Sequence, residues 1–306
     1  MQEKIEFEGW PNCIRLYNND IELIITTDIG PRIIRFGYIN GENLFYVSPA
    51  DKGKSGGENW RIYGGHRFWH APEVAPRTYS PDNKQVSYSW NGKTLKLIQD
   101  VEPLTGIIKE MEITLNPNRN EVKVLHRIIN KNCWHIELAP WAITACAGGG
   151  RVILPQEPYI DPADYLLPAR PIVLWNYTQM ADPRFAWGDK FIQVKHDPAR
   201  ISEQKIGILN KQGWAAYVLH NELFIKKFEY NPYSQYTDYG CNNEAYVNGD
   251  FLELETLSLF SKIAPLESIV HTEYWTLTKA AFSVGEDKNL IEQLIAPVLD
   301  SILQNR

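Results

Sequence analysis

Cysteine is scarce and scattered: Cys13, Cys133, Cys146 and Cys241 are the only four in 306 residues. None stands in a Cys-x-x-Cys pair, so neither a zinc knuckle nor a disulfide framework is indicated. Basic runs are missing too. With 31 Lys and Arg against 37 Asp and Glu the net charge is −6, which argues against a nucleic acid or an anionic membrane as partner. No apolar stretch approaches the roughly 20 residues that span a bilayer. The opening Met-Gln-Glu-Lys-Ile-Glu-Phe-Glu has no apolar signal core, so a soluble, cytoplasmic protein is expected. The chain also lacks a Gly-x-Ser-x-Gly elbow, a dinucleotide fingerprint and His-Glu-x-x-His. Gly148-Gly149-Gly150 is not a phosphate loop, because no Gly-Lys-Ser/Thr ending and no obvious helix follow it. No metal and no cofactor is expected.

Aromatic residues, by contrast, are plentiful. Ten Trp, 16 Tyr and 11 Phe are spread along the chain, and the hydrophobic share is 44%. Aromatics favour strands, and the alternation agrees. Ile21 to Thr27 and Arg32 to Tyr38 read as strands around Asp28-Ile-Gly30-Pro31, and Lys84 to Trp90 and Lys93 to Gln99 as a hairpin about Asn91-Gly92. Gly106 to Leu115 puts Lys109, Met111, Ile113 and Leu115 on one face. Strands are also expected at Glu121 to Ile129, Phe191 to Lys195, Lys205 to Leu209, Trp214 to Leu219, Leu223 to Tyr230, Phe251 to Phe260 and His271 to Leu277. Arg151 to Phe185, rich in Pro and aromatics and ending in Asp182-Pro183-Arg184, reads as a long ordered connection, a common place for function. Helical spacing is convincing only at the end, from Leu290 to Leu303, with a kink expected at Pro297. The reading is all-β: one domain over residues 1–306, with an amphipathic helical segment at 287–305.

Two stretches carry chemistry. Tyr63 to Glu73 holds His66, Arg67, Trp69, His70 and Glu73 behind Gly64-Gly65. Pro72 and the glycines discourage a helix. If the segment is extended, His66, Phe68 and His70 point one way and Arg67 and Trp69 the other. Histidine spacing of four suits a helical metal site, so His66, His70 and Glu73 are poorly spaced for one here. The mixture suits a sugar, whose hydroxyls want donors and acceptors and whose apolar face wants a flat aromatic surface. A buried polar loop satisfied by its neighbours is the plainer alternative. The second stretch, Phe251 to Leu257, aligns Phe251, Glu253, Glu255 and Leu257 on one strand face. Adjacent carboxylates repel and raise one pKa towards that of a general base, unless they are ordinary solvent-facing charge.

The order of Gly64-Gly-His-Arg-Phe-Trp-His-Ala-Pro-Glu73, Glu137-Leu-Ala-Pro-Trp141, Phe251-Leu-Glu-Leu-Glu-Thr-Leu257 and His271-Thr-Glu-Tyr-Trp275 resembles the galactose mutarotase-like superfamily, beside the aldose 1-epimerases and hexose-6-phosphate mutarotases. The resemblance implies a β-supersandwich with a sugar-sized groove, aldose 1-epimerase-like acid–base catalysis on a sugar or sugar phosphate, and a small-molecule carbohydrate as partner; a homodimer is left open. It places Glu253 at the catalytic base position and Glu255 at a neighbouring polar one. Arg67 falls near the substrate-binding arginine. Where the family has its acid histidine in His-x-Tyr-Phe, this chain has Ala139-Pro140-Trp141, and His66 or His70 becomes the candidate acid. Trp69, Glu73, Trp141 and Arg184 complete the expected binding set. The alternatives are a carbohydrate binder or sensor without turnover, and a lyase or glycoside hydrolase on the same fold.

Overall fold

The computed structural model describes residues 1–279 and 288–304. Two large antiparallel sheets face each other. The first has eleven strands and runs from Gln2–Phe7 through Trp10–Tyr17, Ile21–Thr26, Arg32–Tyr38, Gly65–Ala71, Ile136–Cys146, Leu252–Leu257, Asn243–Val247 and Gln204–Ile208 to Ile172–Leu174. Ser261–Ile263 attaches beside Ile136–Cys146. The second has ten, from Phe185–Trp187 through Phe191–Lys195, Arg151–Pro155, Trp214–Leu219, Glu222–Phe228, Ser268–Lys279, Glu121–Asn130, Ile107–Leu115 and Thr94–Ile98 to Ser87–Trp90.

Period-two patterning builds the space between the sheets. Along Ser268–Lys279 the buried residues are His271, Glu273, Trp275 and Leu277, while Val270 and Tyr274 face outward. Val122, Val124, His126 and Ile128 do the same on the neighbouring strand. Phe36, Phe45, Phe224 and Trp275 meet at the centre with ring centroids 5.2–5.9 Å apart, a spacing typical of favourable edge and tilted aromatic pairs. The helix Lys288–Gln304 covers the outer face of the ten-stranded sheet. Ile295 and Leu299 pack there with Ile153, Trp214 and Ile225, and Pro297 lies inside the helix without ending it. The expected helical segment overruns this element, and residue 287 and residue 305 lie outside the described residues.

The inter-sheet space also holds a polar chain. Glu273 Oε1 accepts from Lys226 Nζ at 2.9 Å and from the Thr256 hydroxyl at 2.5 Å, and Oε2 accepts from Trp275 Nε1 at 2.7 Å. Thr256 in turn accepts from His271 Nε2 at 2.7 Å. His126 Nδ1 lies 3.1 Å from the His271 carbonyl, so it must donate, and its Nε2 must accept from His66 Nε2 at 2.7 Å. His66 Nδ1 then accepts from the Thr144 hydroxyl at 2.8 Å. His66, Thr144 and Thr256 belong to one sheet and the others to the second, so the chain ties the layers together.

These histidines are neutral. Burial pushes His126 down to about 4 and His271 to about 3, and His66 well below its ordinary value, with Glu273 opposing only in part. Burial alone would raise the pKa of Glu273, but the Lys226 ammonium together with the surrounding imidazoles outweighs it and holds the carboxyl well below the usual range. Between the folded and unfolded histidine values the unfolded chain binds more protons, so stability is full above about pH 6.5 and falls as the pH drops through that window. Glu273 adds to the loss below its unfolded value. The unfolding free energy, and with it the urea midpoint, should therefore fall between pH 7 and pH 5, the free energy by up to about 1.4 kcal/mol per pH unit for each histidine. A midpoint that stays flat over this range would contradict the assignment.

Candidate functional site

Gly64 and Gly65 set the register of the strand that follows. Both have positive φ, +98° and +70°. A Cβ on Gly64 would stand 2.0 Å from the Tyr46 carbonyl oxygen, and one on Gly65 2.3 Å from that of Ile33; only glycine fits. From this turn Gly65–Ala71 runs fully buried, its odd and even side chains on opposite faces. Arg67 and Trp69 emerge on the outer face of the eleven-stranded sheet. His66, Phe68 and His70 enter the inter-sheet space.

Register assembles the rest of that outer face. Trp141 pairs with Trp69 on one side and Leu257 on the other, and Ile143 lies between Arg67 and Glu255. Ala145 lies between Gly65 and Glu253. The next strands continue the two rows with Glu244 opposite Glu255, Tyr246 opposite Glu253 and Lys205 opposite Tyr246. With small residues at Ala145 and Gly65, Arg67 reaches diagonally to Glu253, and Nη1 donates to Oε1 at 2.6 Å. The guanidinium lies 4.6 Å from the Trp69 ring and 5.7 Å from that of Trp60. Its Nε is buried without a hydrogen-bond partner.

A cavity of about 420 Å³ opens over these residues. Trp60, Trp69, Trp141 and Trp175 give it four indole walls, and Tyr79, Tyr177, Tyr246 and Phe251 add to them. Arg67, Lys205, Glu73, Glu203 and Glu253 are its charged lining. The size falls in the range of small-molecule sites, roughly 300–1,000 Å³. A larger depression of about 1180 Å³ lies around Tyr230 and Tyr274 of the other sheet. Its carboxylates, Glu121 and Glu229, are not buried, so the buried chemistry belongs to the smaller cavity.

Lys205 is the feature of the floor. Its ammonium sits 4.6 Å from the Trp141 ring and 4.7 Å from the Trp175 ring. It also lies 2.8 Å from Glu244 and 3.0 Å from Glu255. Burial by itself would lower its pKa, yet the two carboxylates outweigh burial and hold it well above the ordinary lysine value. Both carboxyls are pushed up, by burial first, with Lys205 opposing. Glu255 Oε2 also accepts from Trp141 Nε1 at 2.9 Å, and its Oε1 is unpartnered. At the rim, Tyr79 donates its hydroxyl to Glu73 Oε1 and Tyr246 donates to Glu203 at 2.9 Å. Burial, with Glu73 adding to it, pushes the Tyr79 phenol up to about 12, so it remains a donor.

The structure thus brings Arg67, Trp69, Glu73, Trp141 and Glu253 to one cavity. Three expectations need correction. His66 and His70 do not face Glu253, because strand alternation turns them to the opposite side of the sheet. His66 belongs to the inter-sheet chain, and His70, pushed down to about 3 by burial, lies in the same layer with Nδ1 unpartnered. Arg184 does not line the cavity. Its guanidinium is held by Asp182, the Arg200 carbonyl and Ser202. Glu255 is fully buried and reaches the cavity only through Trp141 and Lys205. The polar and aromatic residues not anticipated include Trp60, Tyr79, Trp175, Tyr177, Glu203, Lys205 and Tyr246. Trp175 and Tyr177 lie in the connection marked as a common place for function; nothing in the alternation around Lys205 singles it out.

Among the described residues, His66, His126 and Glu273 offer metal-ligand atoms within 4.8 Å of one another. The two Nε2 atoms are 2.7 Å apart and hydrogen-bonded; one zinc ion at ~2.0–2.1 Å from each would hold them about 3.3 Å apart. Lys226 also occupies the adjacent side of Glu273. The cluster fits a hydrogen-bonded chain better than a cation site.

With the two facing sheets and a cavity over one of them, the fold is the galactose mutarotase-like β-supersandwich. A galactose mutarotase-like protein from Lactobacillus casei matches over 87% of this chain and 100% of its own, at TM-score 0.55 and 9% identity. A galactose mutarotase related enzyme from Lactobacillus acidophilus covers 90% and 100%, at 0.52 and 8%. A protein from Klebsiella pneumoniae proposed to be an aldose 1-epimerase covers 96% and 86%, at 0.58 and 10%. No family model matches the sequence, and no curated protein does. At these identities the likeness is one of fold.

Removing the floor cation should expose its electrostatic role. Lys205→Met leaves Glu244 and Glu255 facing each other without a counter-charge and should cost about 3–5 kcal/mol in urea unfolding. Adding Glu244→Gln and Glu255→Gln to that variant should restore most of the loss, and no recovery would show that the trio is not one unit.

Proposed function

We propose that the cavity binds a carbohydrate and that the protein acts on it as an aldose 1-epimerase-like mutarotase with Glu253 as the base. The observation that carries this reading is the pairing of Glu253 and Arg67 on the floor of an indole-walled cavity. Indole faces cover the apolar C–H surface of a sugar ring, and Arg67, Lys205 and the tyrosine hydroxyls offer donors to its oxygens. The mutarotase-related and proposed epimerase neighbours support the same reading by analogy of fold.

Mutarotation requires removal of the anomeric hydroxyl proton while the ring oxygen is protonated, followed by the reverse on the other face. Glu253 Oε1 is engaged by Arg67, and no described residue bonds its Oε2; that oxygen is the one placed to take a proton. Among the described residues no histidine lines the cavity, so the ring oxygen must be served by a weaker acid. Tyr177 is the candidate: it lines the cavity, and burial raises its phenol, which keeps the proton in place. That missing histidine is also the one observation favouring the second reading, a sugar binder or sensor without turnover.

Glu253→Gln separates the two. The amide keeps shape and hydrogen-bonding capacity but removes the base, so anomerisation followed by polarimetry or NMR exchange should slow by about 100-fold or more while calorimetry still shows sugar binding. Undiminished anomerisation in the variant would remove Glu253 from the mechanism. Saturable binding with no anomerisation by the unsubstituted protein would establish the second reading.

A further inference from the structure

We propose that the ligand is a sugar bearing a protonated amino group, and that the cavity rejects sugar phosphates and other anionic sugars. This rests on the reading that the cavity takes a carbohydrate, and it concerns charge. Both cations of the lining are already neutralised at short range: Arg67 by Glu253 at 2.6 Å, and Lys205 by Glu244 and Glu255 at 2.8 and 3.0 Å. Among the described residues a phosphate entering the cavity would find no unpaired cation. It would instead meet the carboxylates of Glu73 and Glu203, which line the cavity and are held by phenol hydroxyls rather than by cations.

Among the described residues two positive and three negative groups line the cavity, with Glu244 and Glu255 directly beneath. A concave site with low-dielectric walls concentrates such an imbalance into a negative potential. The walls point the same way. Tyr79 and Trp60 stand at 5.6 Å from each other and Tyr79 and Trp69 at 5.0 Å, so two indoles pack edge-on against the phenol that holds Glu73. An ammonium is attracted both to aromatic faces and to carboxylates. Lys205, lodged between Trp141 and Trp175, shows that these walls already accept one primary ammonium. A neutral aldose would use the same stacking surfaces without the electrostatic contribution.

Calorimetric titration of the whole protein with matched gluco and galacto sets tests this: the free aldose, the 2-amino sugar, its N-acetyl derivative and the 6-phosphate. The amino sugar should bind about ten-fold more tightly than the aldose or the neutral N-acetyl derivative, and the 6-phosphate more weakly than either. Raising the salt concentration should weaken the amino sugar and leave the aldose unaffected. In Glu73→Gln/Glu203→Gln the ratio of amino-sugar to aldose affinity should fall towards one. Equal binding of aldose and amino sugar, or tighter binding of the phosphate, would overturn the inference while leaving a carbohydrate site intact. Failure of every sugar to bind would remove the carbohydrate reading and this inference together.

Discussion

A strand has two faces, and much of this molecule depends on which face each residue of Gly65–Ala71 takes. The strand is the common wall of two different spaces. One side is the inter-sheet layer, where His66 and Phe68 pack against His126 at ring distances of 5.0 and 4.9 Å. The other is the cavity, where Arg67 and Trp69 meet Glu253 and Trp141. A slip of one residue would move Arg67 into the core and His66 into the cavity, disrupting both. The close approach of Gly64 and Gly65 to the backbone of Tyr46 and Ile33 holds the register where it is.

The two spaces treat buried charge differently. Between the sheets, Lys226 and Glu273 are matched one to one, and every proton of the surrounding histidines and threonines has a defined recipient. Such a chain costs desolvation and is tolerable because it is complete. Beneath the cavity the matching is incomplete: two carboxyls share one lysine, Glu255 Oε1 has no partner, and Arg67 Nε has none either. Incomplete pairing at full burial raises the energy of the unliganded floor.

Much of this architecture could be read from residue patterns. Turn signals and strand-forming runs located Arg32–Tyr38, Phe191–Lys195 and Trp214–Leu219 at their observed limits. Alternation also put Glu253 and Glu255 on one face, as found. It equally placed His66 and His70 opposite Arg67, and the choice of either histidine as the acid conflicted with that geometry; parity is a harder constraint than the density of polar residues in a motif. Ile136–Cys146 is a strand that its run of small residues and Pro140 concealed, because it is central, buried on both faces and therefore not alternating. Lys205 and Tyr246 were not legible for another reason. The place of Lys205 follows from its pairing with Tyr246, distant in sequence, and no local spacing encodes that.

The concentration of indoles has an optical consequence. Four of the ten tryptophans, Trp60, Trp69, Trp141 and Trp175, stand around one cavity. Trp60 and Trp69 are 5.2 Å apart, Trp69 and Trp141 5.6 Å, and a lysine ammonium lies against Trp141 and Trp175. Chromophores this close couple their excited states, and a charge at contact distance shifts their emission. The near-ultraviolet dichroism and intrinsic fluorescence of the folded chain are thus weighted towards the cavity walls, so the protein carries a built-in spectroscopic reporter of whatever enters.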